Sequence, residues 1–290
     1  MFDNIFAAIE KWMRELLTGM VESNMSTMFT DVNEKTSEIA AQVGRTPQNW
    51  NSSVFSMIQN LSESVVVPIA GIIITLVLCY ELISMLTERN NLHDVDTWMF
   101  FKYFVKAWVA IYLVSNTFTI TMAVFDVGQS VVNSASGIIN GETAIDDSSL
   151  SMQMQAAMAT MEIGELVVLA LETFLVSFCM KIMSVVITVI VYGRMIEIYL
   201  YTSLAPIPFA TMSNREWGHV GTNYFRGLFA LAFQAFLMMV CVAIYAALIS
   251  SVRISSNMHS ALIGVAAYTV ILCFSLMKTG SLSKQIFGSH

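Results

Sequence analysis

Pro206 and Pro208 stand two residues apart in a mostly apolar tract, Ile198 to Met212, with a long apolar segment on either side. Each proline removes a backbone donor and crowds the turn before it, so a regular helix is not expected to run through the pair. The tract is also shorter than the ~20 residues a spanning helix needs. Backbone freed by proline at membrane depth is tolerated only where protein or a water-filled cavity covers it. Residues 196–212 therefore read as a re-entrant, half-spanning segment leading into a polar loop. One kinked spanning helix is the competing reading.

Composition makes a membrane setting the right frame for that argument. The chain of 290 residues is 56% hydrophobic and 12% charged, with mean hydropathy +0.66, against about 25% charged in soluble domains. The expected fold is all-α and polytopic, with about five transmembrane helices. The net charge of −7 argues against a nucleic-acid-binding surface, because basic stripes track phosphate backbones. Cys79, Cys179, Cys241 and Cys273 all fall in apolar segments, which leaves no disulfide framework and no zinc spacing. The first twenty residues carry Asp3, Glu10 and Glu15 among their apolar positions and do not read as a signal peptide.

Taken in order, residues 1–64 read as extracytoplasmic amphipathic helices. Phe2, Ile5, Phe6, Ile9, Trp12, Met13, Leu16, Leu17 and Met20 recur at steps of three and four, which marks one wide apolar face. A weaker stripe continues over 21–43, and Gly44 is a natural stop. These helices either pack on each other or a neighbouring subunit, or lie on the bilayer. Thr46-Pro47 then reads as a cap and first-turn proline. The transmembrane domain covers 65–278, with segments at about 65–86, 99–124, 165–193, 228–250 and 259–277. Residues 87–98 form a polar loop, and residues 125–161 an acidic extracytoplasmic insert. A short turn at 250–257 joins the last two segments, and a cytoplasmic tail spans 279–290.

Orientation is set by the basic residues. Arg89, Lys102, Lys106, Arg194, Arg215, Arg226, Lys278 and Lys284 are eight of the fourteen, and the insert holds none. Five crossings plus a re-entrant piece put those loops in the cytoplasm. The N-terminus then lies outside and the C-terminus inside the bacterial cytoplasmic membrane. A full crossing by 196–212 would strand Arg215 and Arg226 on the outer face.

Little in the chain reads as reactive chemistry, and no enzyme is expected. Lys181, near the middle of the third segment, should face a bundle interior, a wet cavity or a carboxylate, with Glu81 a partner at comparable depth. It serves either an ion pathway or a structural contact. Met152, Met154, Met158 and Met161 could suggest thioether ligation, but their spacing fits a packing stripe. Ser281-Leu-Ser-Lys284 matches a Ser-x-x-Lys pattern without its surrounding fold. No phosphate-binding loop is present. No cofactor is called for, bound phospholipid being the one allowance. Pro206 and Pro208 shape the break, and Arg194, Glu197, Arg215, Glu216 and Trp217 are its expected cytoplasmic rim.

The run Arg194-Met-Ile-Glu197-Ile-Tyr-Leu-Tyr-Thr-Ser-Leu-Ala-Pro206-Ile-Pro208-Phe-Ala-Thr, together with the downstream Glu216-Trp217-Gly218, resembles the polytopic TrbL-like subunit of conjugative type IV secretion systems. The version on mobile genetic elements of Gram-positive bacteria is the nearest in character. The resemblance implies a non-enzymatic membrane subunit that helps DNA and relaxase cross the membrane. It would be powered by separate ATPases, surrounded by other secretion-system subunits and lipid, and assembled as a homo-oligomeric ring. Direct nucleic-acid contact is left open. A stand-alone transporter or ion channel and a structural scaffold are the alternatives from other classes.

Overall fold

The longest apolar stretches of this chain become helices far longer than the segments periodicity marks out. A computed structural model describes residues 2–87, 97–139, 147–251 and 258–289. Among them every regular element is helical: α1 (Phe2–Val43), α2 (Pro47–Trp50), α3 (Ser52–Leu61), α4 (Val67–Thr87), α5 (Thr97–Ser115), α6 (Thr117–Ile139), α7 (Asp147–Ala159), α8 (Ile163–Ser203), α9 (Pro206–Thr211), α10 (Gly218–Ser250) and α11 (Met258–Ile286). Five stretches are long and apolar enough to cross a membrane: Ser52–Thr87, Thr97–Ser115, Ile163–Ser203, Gly218–Ile249 and Met258–Ile286. The protein is an all-α polytopic membrane protein. Most of the polar loop at 87–98, the insert's Glu142 and Asp146, and the turn bearing Arg253 lie outside the described residues.

Several boundaries differ from the expected ones for local reasons. The two N-terminal stripes form one continuous 42-residue helix, α1, so they cannot pack on each other as a hairpin. No glycine or proline interrupts it except Gly19, and Gly44 comes directly after its last residue. The second segment breaks at Asn116, whose Nδ2 donates to the Tyr112 carbonyl at 2.9 Å. The Asn116 backbone amide uses the same carbonyl at 3.1 Å, a side-chain competition that weakens a helix locally. Helix resumes as α6 and runs to Ile139, well into the stretch read as an insert. Between α3 and α4 the residues Ser62–Val66 make one π-helical turn, in which the Val67 amide donates to the Ser62 carbonyl. Pro68 comes next and cannot donate to the Ser64 carbonyl, so the wide turn falls where the α-helical ladder is already broken.

The chain divides into two compact units that interleave along the sequence. One comprises Gly44–Asn133, Tyr192–Leu237 and Thr279–His290. Its core joins α6, α8 and α10 through Val124, Phe125, Met195, Ile198, Leu228, Leu231 and Ala232. Gly128 lets α6 close on α10, for a Cβ there would sit 2.8 Å from the Ala232 carbonyl oxygen. Small residues at such a crossing let two helices approach in an apolar medium, where packing rather than water expulsion holds them. At the other side Trp50 meets Tyr192 and Tyr199, with ring centroids 5.5 and 5.9 Å away. The Tyr199 hydroxyl donates to the Pro47 carbonyl at 2.6 Å.

The second unit comprises Met1–Val43, Ser134–Val191 and Met238–Lys278. Val21, Met25 and Met28 of α1 are buried, as are Met154 and Met158 of α7. Those last two are one helical turn apart, so the methionine run does pack at helical spacing, while Met152 is 73% exposed. Arg14 donates through Nη1 to the Met161 carbonyl at 2.7 Å, and Asn24 donates to Thr173 Oγ1 at 3.4 Å. The first half of the α1 stripe stays uncovered: Phe6 is 69% and Trp12 61% exposed.

Candidate functional site: the proline turn and its polar latch

The two prolines start a helix rather than merely stopping one. A helix leaves its first amides without intrahelical acceptors, so proline there forfeits nothing. Pro206 and Pro208 both sit in the first turn of the six-residue α9. Neither can donate backwards, to Thr202 or to Leu204, and α8 accordingly ends at Ser203. The interruption is thus Leu204–Ala205, and residues 196–203 belong to the end of α8 instead of to the turn. α9 is too short to cross a bilayer by itself, at ~1.5 Å per residue. Its Phe209 and Ala210 are buried with Ala70 and Ile74 of α4 and with Ala110 and Val114 of α5. The proline-started helix is therefore seated against two of the candidate spans.

A carboxylate fastens the loop that leaves α9. Glu81 accepts from Lys106 Nζ at 2.5 Å through one oxygen and from Asn214 Nδ2 at 3.2 Å through the other. The Asn214 side-chain oxygen, Oδ1, in turn accepts from the backbone amides of Glu216 and Trp217, at 2.7 and 3.1 Å. One buried asparagine thereby shapes the loop and ties it to α4. Tyr80 completes the latch: its ring stacks on Trp217 at 5.7 Å, and its hydroxyl donates to the Glu216 carboxylate at 3.0 Å. On the other flank Tyr201 and Tyr224 bond reciprocally. Each hydroxyl donates to the other's backbone carbonyl, at 3.0 and 2.7 Å, with the rings stacked 4.3 Å apart. Gly221 lets α10 start close beneath, since a Cβ there would lie 2.5 Å from the Pro208 carbonyl oxygen.

The expected rim residues divide into two groups. Arg215, Glu216 and Trp217 are exposed on the loop, and Glu197 pairs with Lys284 of α11 at 3.1 Å. Arg194 is not on a rim. It is 7% exposed, donates through Nη2 to the Leu231 carbonyl at 3.3 Å, and leaves its Nε without a partner. The reason is phase: Arg194 lies on the α8 face shared with Met195 and Ile198, which packs on α10. Glu81, the partner expected for Lys181, has both oxygens bonded elsewhere, one to Lys106 and the other to Asn214. Lys181 is exposed on α8.

Sequence reasoning passes over Lys106, Asn214, Tyr80, Tyr201 and Tyr224. A signal for the first is present: a short connection makes α4 and α5 antiparallel neighbours, which brings a late acid level with an early base. Asn214 stands in a Ser-Asn-Arg-Glu stretch, where asparagine commonly bonds its own downstream amides. The tyrosine pair has no local signal. Among the described residues no cluster of three or more His, Cys, Asp or Glu could hold a metal ion. The arrangement positions backbone: it holds a short helix against spanning helices through one ion pair, one asparagine and three tyrosine hydroxyls.

Long apolar helices, with a latched proline turn between two of them, define a multi-pass membrane protein. Residues 32–206 match the TrbL/VirB6 plasmid conjugal transfer like protein family, and the chain belongs to that family. The match takes in α2 to α8 and closes on Pro206, and it makes the protein a membrane component of conjugal transfer. No curated protein and no solved structure matches the chain.

Proposed function

We propose that the protein is a non-enzymatic subunit of a conjugative type IV secretion channel that helps DNA and its attached protein cross the cytoplasmic membrane. The family match over residues 32–206 carries the reading. It is supported by five helices of spanning length and by a site built for placement rather than bond-breaking. The N-terminus lies outside and the C-terminus in the cytoplasm, an orientation that rests on the basic loops. In this reading 204–217 is a re-entrant turn on the cytoplasmic side. Its support is that α9 packs on Ile74 and Val114, while Asn214, past the end of α9, bonds Glu81, nearer the end of α4. Several copies assemble as a ring beside other transfer subunits and separate ATPases, and the uncovered α1 stripe suits such contacts. Deleting the gene from its mobile element should abolish DNA transfer while relaxase nicking continues. Transfer at an undiminished frequency rejects the proposal.

A further inference from the structure

A charged side chain within a spanning helix normally faces a bundle interior, water or an opposite charge. Among the described residues no carboxylate pairs with Lys181. It is exposed on α8 and shares a helical face with Phe174, Phe178 and Val185, which are 60%, 56% and 64% exposed. No charged residue lies between Glu172 and Lys181, or between Lys181 and Arg194. The lysine is therefore ~12 Å or more along the helix from either polar end, more than its own stem can bridge towards an interface.

The available carboxylates narrow down the chemistry that covers this face. The five candidate spans contain Glu63, Glu81, Glu165, Glu172 and Glu197. Glu81 is held by Lys106 and Asn214, Glu172 by His259, and Glu197 by Lys284. Glu165 accepts from the Glu162 amide at the start of α8, and Glu63 accepts from Gln59 at 2.9 Å. Among the described residues, the spans of a second copy would bring the same five acids, each already accepting a bond within its own protomer.

We propose that the α8 face bearing Lys181 docks a transmembrane helix of a different subunit, which presents an aspartate or glutamate to Lys181 while its apolar flank covers Phe174, Phe178 and Val185. The inference needs the protein to sit in a membrane assembly and is independent of the cargo. The test places a photoreactive phenylalanine analogue at Phe178 of the full-length protein, in membranes of cells carrying its mobile element. After irradiation the adduct is digested and sequenced. The expected peptide comes from an apolar spanning segment of another polypeptide and contains Asp or Glu, and its yield falls at least tenfold with Lys181→Met. An adduct with lipid alone, or with a second copy of this chain, overturns the proposal. Charge reversal supplies an arm that does not use the crosslink. Lys181→Glu should abolish co-purification of the crosslinked subunit, and reversing the acid in that subunit to lysine should restore it. Unchanged co-purification of the single variant also overturns the proposal. A Lys181→Glu protein that fails to accumulate leaves the crosslink, made with Lys181 in place, to decide.

Discussion

Glu81 joins three parts of the chain with two oxygens, and its side chain is only 17% exposed. Removing the ammonium without removing the carboxylate strands a charge in a poorly hydrated place, which costs more than the pair contributes. Lys106→Met should therefore lower stability by about 2 kcal/mol, the scale of a hydrogen bond to a charged group. Adding Glu81→Gln should recover most of it. Thermal unfolding of the purified protein in detergent reads both, and equal midpoints for the single and double variants would contradict the latch. At this scale the sequence is only partly legible. Glu81 stands out as an intramembrane acid, yet depth judged along single segments, without pairing neighbouring helices, points to Lys181 as its partner. Charge alone puts Arg194 at a rim. The helical phase it shares with Met195 and Ile198 turns it inward.

At the scale of elements, helix crossings depend on which glycines face a backbone. Gly128 does: a Cβ there meets the Ala232 carbonyl, and a main-chain atom of α10 cannot swing aside. Gly71, by contrast, has nothing within 4 Å of where a Cβ would stand. Gly128→Val should cost roughly 1–3 kcal/mol through overpacking, whereas Gly71→Ala should be neutral or stabilise by up to about 1 kcal/mol, as expected inside a helix. Detergent unfolding of both variants checks the contrast, and a tolerated Gly128→Val would mean that α6 and α10 do not close there. Helices are legible at this scale and their ends are not. Apolar runs of membrane length announce α4, α8, α10 and α11, but helices continue past the apolar run as long as nothing stops them. Hence α8 extends to Ser203, where the prolines act, and α6 continues into a polar stretch that offers no break before Ile139.

At the scale of the molecule, the basic residues and the odd number of spans make one claim about sidedness. Reporter tags at the two termini should be seen from opposite faces of the membrane, the N-terminal one by an external protease and the C-terminal one only after lysis. Both tags on one face would require an even number of crossings and undo the orientation. Class and family are readable here because composition and the stretch around Pro206 are properties of the linear chain. The interleaving of two units is not, since α6, α8, α10 and α11 each contribute residues to both.

The wide turn at Ser62–Val66 acts as a one-residue insertion in an otherwise α-helical rod. Each α-helical residue advances the rod by ~100°, so the surplus residue offsets everything upstream of it by that angle. Shortening the turn by deleting Ser64 would restore a regular pitch and swing α3 out of phase with α4. Trp50 would then leave Tyr192 and Tyr199, and Phe55 would leave Phe118, whose ring now lies 5.3 Å away. Tryptophan fluorescence of such a deletion should shift as Trp50 loses its aromatic neighbours. The spare residue serves as a vernier, aligning an aromatic cluster with a membrane helix that would otherwise face it with the wrong side.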